Sequence, residues 1–331
     1  MNSAAERETH RQTVRARTMR SARIVAPRHV EFTTVTVPEP ESGQVRVKLQ
    51  GCGVCGSNMA VWQGRPWFDY PLAPGNPGHE GWGLIDALGQ EVKNFQIGDR
   101  VAFLSDRSFA EYTTADATSL VAAPKQAAIF PAEALGCAIN AFRRSRIDPQ
   151  HHVAVIGSGF IGALVIQLAA RAGARVVALS RRPFARTIAR QSGARAAFAA
   201  DQQGLQRVLD LTNGQGCECV IEAAGTQEAL DLASRLVGVR AKLVIAGYHQ
   251  DGPRQVDMQL WNWRGIDVIN AHERDPDAYI RGMRGAADLI RRNDLKTDFL
   301  YTHKFTLSQL PDALDALTER PEGFLKGWIS F

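Results

Sequence analysis

Two short segments gather side chains able to hold a metal. Gly51-Cys52-Gly53-Val54-Cys55-Gly56-Ser57-Asn58 offers thiols and a hydroxyl, and Pro77-Gly78-His79-Glu80-Gly81 sets an imidazole beside a carboxylate. A further carboxylate and thiol follow at Glu133 and Cys137. Thiolate, imidazole and carboxylate are the donors that zinc takes, and a catalytic zinc keeps three protein ligands and one open position for water or substrate. Taken singly, Cys55 reads as a small buried apolar residue and His79 as a satisfied core histidine.

A second kind of chemistry is written around residue 157. Val153-Ala154-Val155-Ile156 reads as a short buried strand, and Gly157-Ser158-Gly159-Phe160-Ile161-Gly162 opens a long apolar helix. A GxGxxG run is weak by itself, but strand before and helix after is the context of a dinucleotide site. Gly157 permits the tight turn, Gly159 lets the backbone approach a pyrophosphate, and Gly162 allows helix to pack on strand, with the helix N-terminus facing the phosphates. The next strand ends in Ser180-Arg181-Arg182. An NAD-selective site places a carboxylate there for the ribose 2′-hydroxyl, whereas guanidiniums suit a 2′-phosphate. Preference for NADP(H) over NAD(H) is therefore expected. Ala224 and Gly247, at the ends of later strands, are assigned to the same cofactor face.

The elements that position these residues follow from periodicity. Residues 22–50 alternate apolar and polar positions, broken by Pro38 and Pro40, as half-buried strands do. From about residue 130 the texture changes. Strand-like runs at 153–156, 175–179, 195–199, 219–222, 242–246 and 267–269 alternate with Ala-rich helical stretches, which implies parallel βαβ units covered on both faces. A helix over 278–292 follows, and Phe324–Phe331 resumes β character. A doubly wound parallel sheet is thus inserted in a β-rich module built from both ends of the chain. The expected division is a disordered tail over 1–18, the β-rich domain over 19–137 and 272–331, and the dinucleotide domain over 138–271.

The cysteine and histidine segments, with Gly98-Asp99-Arg100-Val101, the glycine turn and Val220-Ile221-Glu222-Ala223-Ala224-Gly225, resemble the zinc-containing medium-chain dehydrogenase/reductase family from about residue 20 onward. The resemblance implies an α/β fold in which a Rossmann sheet is inserted in a GroES-like catalytic domain. It also implies hydride transfer between a nicotinamide and an alcohol or carbonyl carbon, with Cys55 and His79 as zinc ligands. Many alcohol dehydrogenases of the family supply a second cysteine just before the cofactor domain, which would be Cys137. Glu133-Ala134-Leu135-Gly136-Cys137, however, is closer to the Glu-Pro-Leu pattern of polyol and sugar dehydrogenases, so Glu133 is taken as the third ligand. Glu80 is read either as a further ligand or as a carboxylate supporting the shell. Ser57 stands where relatives exchange a proton with the bound alcohol.

Departures from the family matter too. Asn58 replaces an aspartate that often orients the zinc-bound histidine, and Ala60 stands near where a relay histidine is usual. Residues 102–110 pass without a cysteine, so the structural zinc lobe is missing and one zinc per chain is expected. Trp62, Trp67, Phe68 and Tyr70 are candidate walls of the substrate cleft, while His249, Trp261, Trp263 and His272 lie on the approach to the nicotinamide without an assigned role. Relatives imply a homodimer or homotetramer. A zinc-free quinone or alkene reductase, and a non-enzymatic NADP(H) sensor, are the rival readings; the Cys/His/Glu set speaks against the first.

Composition bounds the rest. At 331 residues the chain exceeds one usual core, and 45% apolar with 22% charged residues is ordinary for a globular protein. No apolar run reaches the length of about 18 residues that a membrane span needs. The net charge of +5 sits in residues 1–30, where seven arginines face Glu6 and Glu8, so the remainder is formally neutral and offers no face for nucleic acid. That segment has no apolar core of a secretory signal, and Met19 is an alternative start. Five scattered cysteines suit a reduced, cytoplasmic protein.

Overall fold

Period-two patterning becomes strand pairing in the computed structural model, which describes residues 16–249 and 251–331. β1 (Thr18–Ala26) and β2 (His29–Thr36) form an antiparallel hairpin. Most of the expected tail lies outside the described residues, but its last part is built in. Thr18 opens β1, and Arg17 pairs with Asp86 at 3.0 Å while its guanidinium covers the Tyr112 ring at 4.4 Å. Residue 18 is therefore too late a boundary.

β3 (Gln44–Gly53), the short helix α1 (Asn58–Trp62), β4 (Glu80–Leu88), β5 (Arg100–Ala102), β6 (Tyr112–Asp116) and β7 (Val121–Ala122) make the N-terminal share of a mixed sheet. The chain then passes through α2 (Ala132–Ser145) into strictly alternating units. These are β8 (His152–Ile156), α3 (Phe160–Arg171), β9 (Arg175–Leu179), α4 (Pro183–Gln191), β10 (Ala196–Phe198), α5 (Gln202–Leu211), β11 (Cys217–Glu222), α6 (Gln227–Leu236), β12 (Val237–Ile245), α7 (Met258–Arg264) and β13 (Asp267–Asn270). α8 (Pro276–Arg291), β14 (His303–Thr306), α9 (Leu310–Glu319) and β15 (Gly327–Ser330) complete the chain.

The six strands β8 to β13 are all parallel, in the order β10-β9-β8-β11-β12-β13. Their alternate residues enter different cores. Val153, Val155, Val176 and Ile221 face α2, α3 and α8, whereas Ala154, Ile156, Val177 and Val220 face α5 and α6. Burial on both faces is why these strands read as continuous apolar runs, each buried Val or Ile contributing roughly 1.5–3 kcal/mol. The mixed sheet runs β14-β15-β3-β4-β5-β7 with β6 beside β3, so strands from the two ends of the chain meet at β15 and β3.

α2 runs straight through the expected domain boundary at 137/138. It is clasped by α8, where a Cβ added to Gly282 would stand 2.8 Å from the Gly136 carbonyl oxygen. Only this bare crossing lets α8 lie close enough to add side chains beside Glu133 and Cys137. No helix among the described residues is long and apolar enough to cross a membrane, and all five cysteines are unpaired.

Candidate active site

Three strand ends converge to make the donor cluster. Gly53 in β3 lies opposite Glu80 in β4 and, on its other side, opposite Trp328 in β15. Cys55 thus leaves β3 at the edge where His79 and Glu80 enter β4 and Lys326 enters β15. A sulfur of Cys55, a ring nitrogen of His79 and a carboxylate oxygen of Glu80 all lie within 4.8 Å of one another, the one such group among the described residues.

Asn58 fixes the loop rather than the histidine. Its Oδ1 accepts from the Cys55 amide at 3.0 Å, and its Nδ2 donates to the Pro77 carbonyl at 3.2 Å. The same carbonyl takes His79 Nδ1 at 2.9 Å. The oxygen that orients the imidazole is therefore that of Pro77, because the Asn58 carbonyl is already committed. A carbonyl only accepts, so Nδ1 carries a proton and Nε2 is left for a metal or a second proton, 3.4 Å from Ser57 Oγ. Burial opposes charge on His79, but Cys55, Glu133 and Glu80 outweigh it and push its pKa up to about 10. Surroundings negative enough to hold a proton on a half-buried imidazole suit a divalent cation equally well.

Glu80 is buried, and its Oε1 accepts from the buried Lys326 Nζ at 2.6 Å. Its Oε2 is buried without a hydrogen-bond partner among the described residues. An orphaned carboxylate oxygen beside a thiol and an imidazole fits a cation. Glu133 stands outside the tight group, although its charge acts on His79. Burial raises its pKa, and Cys137 Sγ lies 3.4 Å from its Oε1 as a donor. Burial and the charge of Glu133 hold the Cys137 thiol well above its ordinary value. Burial, with the nearby Cys137 and Glu133, raises the pKa of the Tyr279 phenol, which α8 brings up to the site.

The glycine turn supplies the opposite half. Gly157 has φ +95°, and a Cβ on Gly162 would stand 2.0 Å from the Gly157 carbonyl oxygen, so the protein itself demands both. Gly159 differs: a Cβ there would meet nothing within 4 Å. The space beside it is open for a phosphate chain at the start of α3. The Ser158 amide donates to Ser180 Oγ at 3.1 Å, tying the turn to the end of β9. Phe160 lies against Tyr301, ring centroids 5.6 Å apart, with Lys326 Nζ 4.9 Å over its ring, while Ile161 packs into the core. Phe160 thereby joins the glycine turn to the Glu80–Lys326 pair. At the end of β11, Ala224 and Gly225 donate to Glu222 Oε1 at 2.7 Å each, and Gly247 is pressed against Glu222 Oε2. Arg181 is exposed, and Arg182 Nη1 donates to the Phe324 carbonyl at 2.6 Å.

Between the halves lies a cleft of about 460 Å³, walled by Ser57, His79, Trp67 and Phe68 on one side and Tyr248 and His249 on the other. Trp62 is not part of it. That residue is buried in the core, its Nε1 bonded to Asp315 Oδ1 at 2.8 Å, and Tyr70 likewise turns inward to bond the Val61 carbonyl. Trp261 is structural, bonded to Ser234, and Trp263 is exposed on the outside of α7. His272 stacks on Tyr248 at 5.5 Å.

Comparison with known proteins agrees with this architecture. Residues 41–125 match the alcohol dehydrogenase GroES-like domain, and residues 161–288 match the zinc-binding dehydrogenase model. The chain belongs to the zinc-type medium-chain dehydrogenase/reductase family. It is 26% identical to a sorbitol dehydrogenase of Halalkalibacterium halodurans, over 86% of this chain and 92% of that one. Among solved structures it is similar to a protein of Sinorhizobium meliloti 1021, named as a zinc-binding dehydrogenase and bound to NADP, with TM-score 0.83, 23% identity and coverage of 95% and 100%. An alcohol dehydrogenase of Escherichia coli CFT073 complexed with NADH gives TM-score 0.84, 23% identity and coverage of 95% and 99%.

In this family member, several site residues carry no signal in the local sequence. Lys326 and Tyr279 arrive from the far end of the chain, and no local pattern announces them. The role of His249 is set by its partners. Its Nδ1 lies 2.8 Å from Arg254 Nε, an obligate donor, so Nδ1 accepts and Nε2 must donate to Glu222 Oε2 at 3.0 Å. Both ring nitrogens are occupied, which makes His249 a clamp on the loop after β12 rather than a proton carrier.

Proposed function

We propose that this chain is a zinc-dependent oxidoreductase that moves a hydride between NADP(H) and an alcohol or carbonyl carbon, with a polyol, sugar-like or other secondary alcohol as substrate. The observation that carries the reading is the approach of Cys55, His79 and Glu80 within 4.8 Å, with His79 opening on a cleft that is also lined by Tyr248 and His249, just after β12 of the parallel sheet. Cys55, His79 and Glu133 would hold the zinc, which when bound polarises a substrate oxygen as a Lewis acid. Glu133 is preferred to Cys137 because the Cys137 thiol keeps its proton and spends it on the Glu133 carboxylate. Glu80, with one oxygen held by Lys326 and the other unpartnered, supports the cluster or joins it.

Gly157, Ser158, Gly159, Phe160, Ile161 and Gly162 would seat the pyrophosphate, with Ala224 and Gly247 bordering the nicotinamide half. Ser180, Arg181 and Arg182 would take the 2′-phosphate. Solved relatives carry either NADP or NADH, so the NADP(H) preference rests on this chain's own arginines. Ser57 exchanges a proton with the substrate hydroxyl. Ala60 offers no acceptor and both His249 nitrogens are engaged, so the proton passes from Ser57 to water in the cleft. Trp67 and Tyr248 present faces for the carbon skeleton.

The proposal extends to a cytoplasmic homodimer or homotetramer. The outer edge of β13 pairs with no strand among the described residues, and Trp263 of α7, the helix that leads into β13, is 88% exposed. We propose the division into 19–137 with 272–331 and 138–271, with its N-terminal edge moved back to include Thr18 of β1 and with α2 as the joint. Elemental analysis together with turnover of a polyol, sugar and aromatic alcohol panel with NADP⁺ tests the function. One zinc per chain and loss of turnover on chelation are expected; undiminished turnover after exhaustive chelation would overturn the reading.

A further inference from the structure

α9 ends at Glu319, and Arg320 caps it with φ 50°. The following turn folds back, Phe324 N donating to the Pro321 carbonyl at 3.0 Å, and the Phe324 carbonyl receives Arg182 Nη1 at 2.6 Å. A turn of the catalytic domain is thus fastened to the end of β9, and it carries Arg320 to where Arg181 and Arg182 stand. The three side chains feel one another. Burial first, then the charges of Arg320 and Arg181, lowers the pKa of Arg182, and burial with the charge of Arg181 lowers that of Arg320. None of the three forms an ion pair among the described residues. The exposed Glu228 senses Arg181 without bonding it. Clustered like charges with no counter-ion repel one another until an anion arrives.

We propose that Arg320 is the third arm of a phosphomonoester site, closing from the catalytic domain onto the 2′-phosphate that Arg181 and Arg182 meet from the Rossmann domain. The inference rests on the NADP(H) reading and adds to it a specificity residue on the other side of the cleft. A 2′-phosphate carries close to two negative charges and three acceptor oxygens, more than one guanidinium can satisfy. Arg182, with Nη1 tied to Phe324, still has Nε and Nη2 to offer. The phosphate would then bridge the two domains, which NADH, lacking it, could not do.

Dissociation constants for NADPH, NADH, 2′,5′-ADP and 5′-ADP, measured by calorimetry on the full chain, test this in the wild type and in Arg320→Ala, Arg320→Lys and Arg181→Ala. Loss of one charge-assisted contact predicts about tenfold weaker binding of NADPH and 2′,5′-ADP by Arg320→Ala, with NADH and 5′-ADP within about twofold. Arg320→Lys should fall between, and Arg181→Ala should resemble Arg320→Ala. The ligand-free Tm of Arg320→Ala should not drop, since a repulsion is removed. Equal loss for all four ligands, or no loss for any, would overturn the role of Arg320 while leaving the NADP(H) preference standing. A wild type that binds NADH as tightly as NADPH would overturn both.

Discussion

Two buried carboxylates flank the cleft, and their neighbours give them opposite characters. Glu222 uses both oxygens: Oε1 accepts from the Ala224 and Gly225 amides, and Oε2 from His249. Glu80 satisfies one oxygen with Lys326 and leaves the other without a partner. Both side chains are fully shielded from solvent, so burial does not separate them. What separates them is the supply of donors. Glu222 sits at a strand end whose own turn presents two N–H groups, and it becomes a clamp. Glu80 sits where three strand ends bring in a thiol, an imidazole and an ammonium, and it keeps a lone pair that only a ligand can use.

The largest effect is expected from Lys326→Met. Removing one partner of a buried ion pair strands the other charge, which costs about 3–5 kcal/mol. Chemical denaturation should show that loss, and adding Glu80→Gln to Lys326→Met should recover much of it. Equal instability of the single and double variants would mean that the ammonium, not the pair, matters.

A sharper contrast comes from making the same change on both sides. Glu80→Gln should weaken metal binding about 10- to 100-fold, read by competition with a chromophoric chelator, and leave dinucleotide affinity untouched. Glu222→Gln should do the reverse. Turning the new amide away from His249 points its N–H groups at the Ala224 and Gly225 amides, and turning it the other way sets donor against donor at Nε2. We expect dinucleotide affinity to fall several-fold while metal affinity holds. If both variants lose metal equally, the two carboxylates are not distinct in function.

The smallest expected effect is a pH dependence of the metal-free protein. His79 has a folded pKa of about 10, above the ordinary imidazole value of 6.5. Its contribution to stability is therefore complete below about pH 6.5 and is lost as pH rises through about 10. The Tm without metal should fall across that window. Metal binding displaces the proton, so metal affinity should climb over the same window, and a flat profile would show that the donor cluster is not coupled in this way.

Much of the framework was legible beforehand because its signals are local. All six parallel strands fall where apolar runs were read, since the inner strands β8, β9, β11 and β12 bury a run of Val, Ile, Leu and Ala on both faces; β13 at the edge is mostly exposed and carries its signal in Val268 and Ile269 alone. Gly157 and Gly162 were legible for the same reason: steric demands within one turn are written in that turn. Trp62 was misjudged because nearness in sequence to Cys55 says nothing about which face a side chain takes, and its partner Asp315 lies 253 residues on. Asn58 stands where an aspartate often orients the histidine, yet the folded loop spends its amide carbonyl on Cys55.

Residue types are set before folding: a thiol, an imidazole, carboxylates in reserve, a glycine turn and arginines without an acid. Those follow from side-chain chemistry and from steric rules acting over a few residues. Folding sets which carboxylate is left short of donors, brings Lys326 to neutralise one of them, and brings the turn after α9 to Arg182. Such choices arise where strand ends and turns far apart in the chain are packed together, and the energy of a buried charge depends on those neighbours rather than on its own segment.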